Sequence, residues 1–330
     1  MRVLYNGKFS SFVPKKEYTK GMAERIVKTL EERSPEGQKI YETSMELSAG
    51  DKERIRPFIN SDGDILDLGA GAGPITQRLR IWFPDSHVVA LDQSGYMIKR
   101  LSQRFAGDPN VEVVQADARE FRRPKPFSTI VAISFFHEVF SGSNYNHEAV
   151  IETIKNAESM LEKEGRLIIR DGVQPEHEEL YLRPITQFAV DRFQKFVAGF
   201  GKVRPVNYTI GNFHSDVFVQ RGRAFQSDDV GKSLIEISSQ SASEMFSKYF
   251  YAEENLPVEL SEQFGIWTLR EYQKILLECG FAIVHAETYA LPWLIENHYS
   301  KDWEVFHLKD GVLSNAPYPP STMLLVGEKQ

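Results

Sequence analysis

Between Asp64 and Gly73 the chain reads Asp-Ile-Leu-Asp-Leu-Gly-Ala-Gly-Ala-Gly. An apolar run leads straight into three glycines separated by alanines. Residues without bulky side chains let the main chain turn sharply and come close to a ligand. The spacing is G-x-G-x-G, one residue short of the G-x-G-x-x-G that sets a pyrophosphate on a helix N-terminus. Asp67, two residues before Gly69, would repel a pyrophosphate and would suit a cationic amino-acid group. Asp92 closes the next apolar run, nineteen residues past Gly73. A carboxylate there can accept from both hydroxyls of a ribose. Asp117-Ala118 closes the third run, where a carboxylate can accept from an exocyclic adenine amine. His137 and Glu138 follow the fourth run, and Asp171 ends the fifth. A neutral imidazole near its intrinsic pKa can take a hydroxyl proton at neutral pH. The competing readings are packing or backbone bonding for His137, orientation of His137 or capping for Glu138, and a turn before Gly172 for Asp171.

These residues need elements that bring them to one edge. Ile65-Leu66-Asp67-Leu68 predicts a strand, and residues 74–83 a helix with Pro74 in its first turn. Residues 88–91 predict a second strand. Ser94 can cap a helix carrying Met97, Ile98, Leu101 and Phe105. Residues 111–114 and 130–135 predict strands three and four. A helix is expected over 149–161 with Gly165 just past its end, then a fifth strand at 167–169. This alternation predicts a doubly wound, Rossmann-like α/β fold with a seven-stranded, mostly parallel sheet.

The pattern stops after Asp171. Residues 175–266 carry aromatics at helical spacing, such as Tyr181, Phe188, Phe193 and Phe196, then Met245, Phe246, Tyr249 and Phe250. They predict a mostly helical cap inserted after the fifth strand. The core is expected to resume at Trp267, with Thr268 and Glu271 forming a capping box. Strands at 281–284 and 322–326 would complete it. Residues 1–60 form an N-terminal segment, helical from 16 to 58 with a break at Pro35-Glu36-Gly37. The domains are therefore 1–60, a core of 61–174 and 267–330, and a cap of 175–266. Trp293, Tyr299, Trp303 and Phe306 form an aromatic arm that covers the pocket mouth or meets a partner.

Composition narrows the function classes. Of 330 residues, 42% are hydrophobic and 26% charged, and the formal net charge is -7. An acidic chain is a poor sequence-independent nucleic-acid binder. Arg119, Arg122, Arg123 and Lys125 read as a solvated loop. A single cysteine, Cys279, excludes an intrachain disulfide and a multi-thiolate zinc site. It reads as a small buried residue rather than a nucleophile. His137-Glu138 lacks the second histidine four residues on that would make a metal site, so no metal is expected. No stretch of about 18 apolar residues occurs, so no membrane helix is expected. The N-terminus lacks the apolar h-region of a signal peptide, and a cytoplasmic protein is expected. Self-association is left open.

DILDLGAGAG, VVALDQS, VVQADAREF, FSTIVAISFFHEV and LEKEGRLIIRD resemble, in order, the motifs of class I S-adenosylmethionine-dependent methyltransferases. The resemblance spans residues 61–171 and the final helix and strands from Trp267. It implies that Gly69, Ala70, Gly71 and Gly73 lie against the methionine part of S-adenosylmethionine. It implies Asp92 on the ribose and Asp117 on the adenine amine. Gln93, Met97 and Ala118 would line the adenosine, and Ser134 would face the methyl side. Residues 175–266 match none of the family's motifs.

The expected activity is methyl transfer by in-line displacement to an O, N or C atom of a small molecule. The protein's part is orientation and exclusion of water, with a general base needed only for a protonated acceptor. His137 and Glu138 are the base candidates. The alternatives are a tRNA or protein methyltransferase, a non-catalytic cofactor-binding scaffold, and a nicotinamide dehydrogenase. Glycine spacing and Asp67 oppose the last. The acidic charge, and SFFHEV where base-amine methylating enzymes carry an N-P-P-Y type motif, oppose RNA.

Overall fold

A computed structural model describes residues 49–214, 217–226 and 229–330. The expected helices over 16–48 lie outside these residues. The described chain begins with a helical turn, α1 (Ala49–Lys52), running into a 3-10 turn (Glu53–Phe58). The core follows as β1 (Ile65–Leu68), α2 (Pro74–Trp82), β2 (Val88–Asp92), α3 (Gly95–Arg104), β3 (Val111–Gln115), β4 (Phe127–Ile133), α4 (Phe136–Gly142), α5 (His147–Met160) and β5 (Leu161–Gly172). It closes with α9 (Leu269–Glu278), β10 (Phe281–Tyr289) and β13 (Thr322–Lys329). No helix among the described residues is long and apolar enough to cross a membrane.

The seven core strands lie in the order β10-β13-β5-β4-β1-β2-β3. β1 pairs in parallel with both β2 and β4, while β13 runs antiparallel to β5 and to β10. Every residue of β1 and β4 is buried. Strands covered on both faces carry continuous apolar runs, which is why they were legible. On one face Leu66, Leu68, Ile130, Ala132 and Ile169 pack with Phe136, Ile154, Tyr272 and Leu276. On the other, Ile65, Val131 and Ile168 pack with Ile55, Ile75 and Leu79. The strand order reverses between β1 and β4, so a crevice opens beyond their carboxyl ends.

Local signals held at the caps. The Ser94 hydroxyl accepts the Met97 N–H at 3.4 Å, and Thr268 and Glu271 form the reciprocal capping box. Gly165 is a correction. The helix ends at Met160 and the strand starts at once, so Gly165 lies inside β5 at an irregularity in its pairing with β4. A Cβ there would sit 2.9 Å from the Glu162 carbonyl oxygen.

The insertion after β5 is present and carries α6 (Gln187–Phe200), α7 (Ser239–Lys248) and α8 (Leu256–Glu259). It is not mostly helical. β6 (Glu179–Pro184), β7 (Tyr208–His214), β8 (Val217–Gly222) and β9 (Leu234–Ser238) join β11 (Trp303–Lys309) and β12 (Val312–Asn315) in a second sheet. Its order is β12-β11-β6-β9-β7-β8, antiparallel throughout. The assignment of 267–330 wholly to the core is corrected with it, since Trp303–Lys309 pairs with β6. The aromatic arm is mostly interior: Tyr299, Trp303 and Phe306 are buried, and only Trp293 is exposed. Trp303 and Tyr299 pack with Phe193, Phe196 and Phe246.

The cap meets the core through a strap, residues 261–267. Its Gly265 and Ile266 carbonyls accept from Gln174 Nε2 at 2.8 and 3.2 Å, and its Gln263 N–H donates to Ser141 Oγ at 3.0 Å. The buried Glu244 carboxylate accepts the Gly265 N–H at 2.6 Å and ion-pairs with buried Lys248. A Cβ at Gly172 would lie 2.3 Å from the Phe264 carbonyl oxygen. Gly172→Ala is therefore expected to displace the strap and cost about 1–3 kcal/mol. Urea unfolding checks this, and an unchanged midpoint would refute the close approach.

Candidate active site

The glycine loop leaves β1 as a tight turn. Gly69 and Ala70 N–H both donate to the Leu91 carbonyl at 3.0 and 2.9 Å, and Gly73 N–H donates to Ala70 at 2.9 Å. Gly69, Gly71 and Gly73 have φ of 76°, 54° and 89°, the left-handed region that glycine alone enters without strain. Their surroundings differ. A Cβ on Gly69 would strike Phe135 at 2.3 Å, and one on Gly73 would strike Phe105 at 2.7 Å. A Cβ on Gly71 would meet nothing within 4 Å. The outer glycines are required by packing, and the middle one faces the open side where a ligand can touch backbone.

Asp92 holds that open turn. Its Oδ2 accepts the Gly71 N–H at 2.9 Å and its Oδ1 accepts the Ser94 N–H at 2.8 Å. Burial raises its carboxyl above the usual range, against these N–H donors. Asp67 is buried and accepts from Thr76 Oγ1 at 2.5 Å. Burial pushes it up to about 6. Met97 and Ala118 are buried beside these strand ends, whereas Gln93 is exposed and its carbonyl accepts from Gln115 Nε2 at 3.2 Å.

β3 follows β2 closely, with Ala116 N–H donating to the Asp92 carbonyl at 3.1 Å. Asp117 thus stands one residue further along the same edge. Burial raises its carboxyl, but Arg119 outweighs that and holds it low. Arg119 Nε contacts both carboxylate oxygens, at 2.9 and 3.1 Å, and its backbone N–H donates at 2.9 Å. Asn156 on α5 fixes this turn by donating to the Ala118 and Phe121 carbonyls at 2.6 and 3.1 Å. Asp-x-Arg spacing could have signalled the Arg119 pairing. Nothing local marks Asn156.

At the exit of β4, Ser134 has φ of 53°. Its N–H donates to the Arg170 carbonyl at 2.8 Å, and its hydroxyl lies 3.4 Å from Arg170 Nη1. Asp171 then joins β5 to α4. Its Oδ2 accepts the N–H groups of Phe135, Phe136 and His137 at 3.1, 2.6 and 3.3 Å. Its Oδ1 accepts the Gly172 N–H at 2.7 Å and lies 2.6 Å from His137 Nδ1. Burial disfavours the charge on Asp171, but His137 and these donors keep it ionised.

His137, Glu138 and Asp171 are thus brought together, with roles the sequence did not separate. Asp171, not Glu138, orients His137. On the far side His137 Nε2 lies 3.7 Å from Glu262 Oε2 of the strap, and Phe264 leans on the ring at 4.6 Å between centroids. Burial opposes the ring's charge, but Asp171, Glu262 and Glu138 overcome it and raise its pKa to about 10. The expectation of a neutral imidazole base is corrected: two flanking carboxylates keep the proton on. Glu138 is pushed up to about 8 by burial and by Glu262, with His137 opposing and Asp92 and Glu259 adding to the rise.

Sequence reasoning also missed Lys52. It is 1% exposed, and its Nζ has no hydrogen-bond partner among the described residues. Burial, with Arg170 and Arg78 beside it, lowers its pKa to about 7, although Asp67 and Asp51 favour the charge.

These groups fit a nucleoside joined to an amino acid. Bare backbone at Gly71, the Asp92 carboxylate, the buried Asp67 and the orphaned Lys52 ammonium lie on one edge of the sheet.

Residues 65–165 match a family model described as a methyltransferase domain. A malonyl-[acyl-carrier protein] O-methyltransferase of Halalkalibacterium halodurans is 27% identical over 116 residues, covering 35% of this chain and 41% of that protein. A trans-aconitate 2-methyltransferase of Yersinia pestis is 34% identical over 88 residues, covering 24% of this chain and 33% of that protein. The chain therefore spans less than half the length of these two relatives. A solved S-adenosylmethionine-dependent methyltransferase from Mesorhizobium loti aligns over 84% of this chain and 96% of its own, with 14% identity and a TM-score of 0.47.

The His137 environment has a consequence for stability. The folded chain holds this proton up to about pH 10, against 6.5 for a free ring. Its contribution is complete below 6.5 and lost as pH climbs through 10. Thermal unfolding of the wild type is expected to weaken across that window more than that of His137→Gln. Parallel profiles would refute the imidazolium.

Proposed function

We propose that this chain, whose residues 65–165 are a class I S-adenosylmethionine-dependent methyltransferase domain, transfers a methyl group to a small-molecule acceptor in the crevice beyond β1 and β4. The observation that carries the proposal is the open side of Gly71, whose N–H is held by Asp92. S-adenosylmethionine supplies an electrophilic methyl group when bound, so the protein need only hold, orient and exclude water. Asp92 suits the ribose hydroxyls, Asp117 the adenine amine, and Met97 and Ala118 the adenosine faces. Ser134 suits the methyl side.

The strap and cap supply enclosure, which keeps water from the transfer. For an acceptor that must lose a proton, Glu138 is the proton acceptor and His137 a fixed positive charge positioned by Asp171. Relatives named for malonyl-[acyl-carrier protein] and trans-aconitate support a small acyl or organic acceptor group. The local charge favours a hydroxyl or amine over a free carboxylate, because Glu262, Asp92 and Glu259 all act on Glu138 here.

Two outcomes test this. Calorimetry is expected to show binding of S-adenosylhomocysteine in preference to NAD. Asp92→Ala should weaken that binding about 10- to 100-fold, the loss of a charged hydrogen bond; equal affinity would remove Asp92 from the site. With an acceptor in hand, turnover should rise with pH through about 8 as Glu138 loses its proton. Glu138→Gln should abolish that rise and lower kcat by about 10²–10⁴. A flat wild-type profile would remove Glu138 as base.

A further inference from the structure

The aromatic residues of the cap fall into two groups. Phe193, Phe196, Phe246, Tyr299 and Trp303 are buried and fill its interior. A second set is left partly uncovered and leads from the active edge to the surface. Phe264 of the strap stands 4.6 Å from the His137 ring, and Tyr251 meets Phe264 edge-on at 6.4 Å. Tyr251 stacks on Phe250 at 4.5 Å, Phe250 lies 6.3 Å from His298, and His298 lies 5.2 Å from Trp293. Phe264, Tyr251, Phe250 and His298 are half-buried, and Trp293 is 52% exposed.

This row is held in place. Buried Arg192 of α6 donates to the Lys248, Tyr249 and Tyr251 carbonyls, which fixes the turn carrying Phe250 and Tyr251. Lys248 Nζ stands 3.7 Å over the Phe264 ring. Burial and Lys301 lower the His298 pKa, against Asp302, so its ring is neutral at pH 7. Fixed aromatic rings with area left open are covered most favourably by something apolar. The inner end of the row decides between a flat ring and an aliphatic chain. His137 is a positive charge fixed there by Asp171. A cation attracts the face of an aromatic ring, gains nothing from a methylene chain, and repels an ammonium.

We propose that the methyl acceptor is an aryl hydroxyl compound, its ring received by Tyr251 and Phe264 and its hydroxyl set beside Glu138. This rests on the methyltransferase reading and gives it an acceptor class. In the transfer the aryl oxygen bonds to the methyl carbon as the sulfur–methyl bond breaks. The electron pair of that bond stays on sulfur, leaving S-adenosylhomocysteine, and the hydroxyl proton passes to Glu138. A phenolic hydroxyl loses its proton at about pH 10, within reach of a carboxylate raised by burial and by Glu262. An aliphatic hydroxyl is a far weaker acid. Tyr251 and Phe264 are then the specificity-determining residues, because they meet the ring and leave the reacting atoms alone.

The test is calorimetry on the full chain saturated with S-adenosylhomocysteine, using 2-naphthol and its fully saturated counterpart, decahydro-2-naphthol. The probes share a carbon skeleton and a hydroxyl and differ in aromaticity. Wild type is expected to bind 2-naphthol about tenfold more tightly, the worth of one or two aromatic pairs. Tyr251→Leu and Phe264→Leu should each lose about 2- to 10-fold toward 2-naphthol. Both should keep their affinity for the saturated probe and for S-adenosylhomocysteine, and Tyr251→Phe should keep the wild-type preference. Phe264 belongs to the strap, so if Phe264→Leu melts below wild type, Tyr251→Leu decides alone. Equal binding of the two probes by wild type overturns the aryl acceptor and leaves the methyltransferase reading standing. So does a wild type that binds neither probe, or 2-naphthol affinity that Tyr251→Leu leaves unaltered. A wild type that fails to bind S-adenosylhomocysteine overturns both readings.

Discussion

The Asp171 carboxylate is the contact on which the active edge depends. It sits in the core at the end of β5, yet its side chain takes three successive N–H groups at the start of the helix that follows β4. Two neighbouring strands are thereby held in register beyond the sheet, where backbone pairing no longer does it. The same carboxylate fixes His137 and, by keeping it charged, gives Glu262 of the strap something to approach. Core, crevice and cap are joined through one ionised group. A buried carboxylate can stay ionised only with donors and a cation around it, and Asp171 has both.

The charge at this edge is graded. Asp171 and His137 form a closed pair whose protons do not move near neutrality. Glu138, one residue on, lacks such a partner and is pushed toward neutral form by its acidic neighbours. Lys52, across the glycine loop, is pushed the same way by burial. Asp171, whose charge is settled, holds backbone N–H groups, whereas Glu138 and Lys52 are the groups shifted toward neutral pH. This division matches the demands of a reaction in which the bound cofactor brings the reactivity and the protein chiefly supplies placement.

How much could be read from the chain follows from where each interaction lies in sequence. β1, β2 and β4 are buried on both faces, so their runs stand out, and the glycines and carboxylates at their ends are placed by topology alone. Ser94 and Thr268-Glu271 are local caps and were legible for the same reason. β6 and β9 are short, and their alternation is submerged between helices whose aromatics, such as Phe193, Phe196 and Phe200, repeat at helical spacing. The strand that pairs with β6 on its other side, β11, lies more than a hundred residues further on, so no local period could join them. The charge on His137 was not legible, because Asp171 and Glu262 reach it only through the fold.

The cap sheet explains why the strap can serve as a cover. A helical insertion would hang on its two connections. Here β11 and β12 return from the core to join the cap sheet before β13 re-enters the core, so the cap is tied to the core at four places rather than two. Trp303 begins that strand within the cap's interior, and Tyr299 donates its hydroxyl proton to the Phe246 carbonyl at 2.7 Å. The strap hangs from this body through Glu244, which binds the Phe264 and Gly265 N–H groups while itself balanced by Lys248. Lys248 in turn stands 3.7 Å over the Phe264 ring, and that ring leans on His137. Displacing the strap would uncover Lys248 and Glu244 as well as His137, so cover and crevice resist separation together.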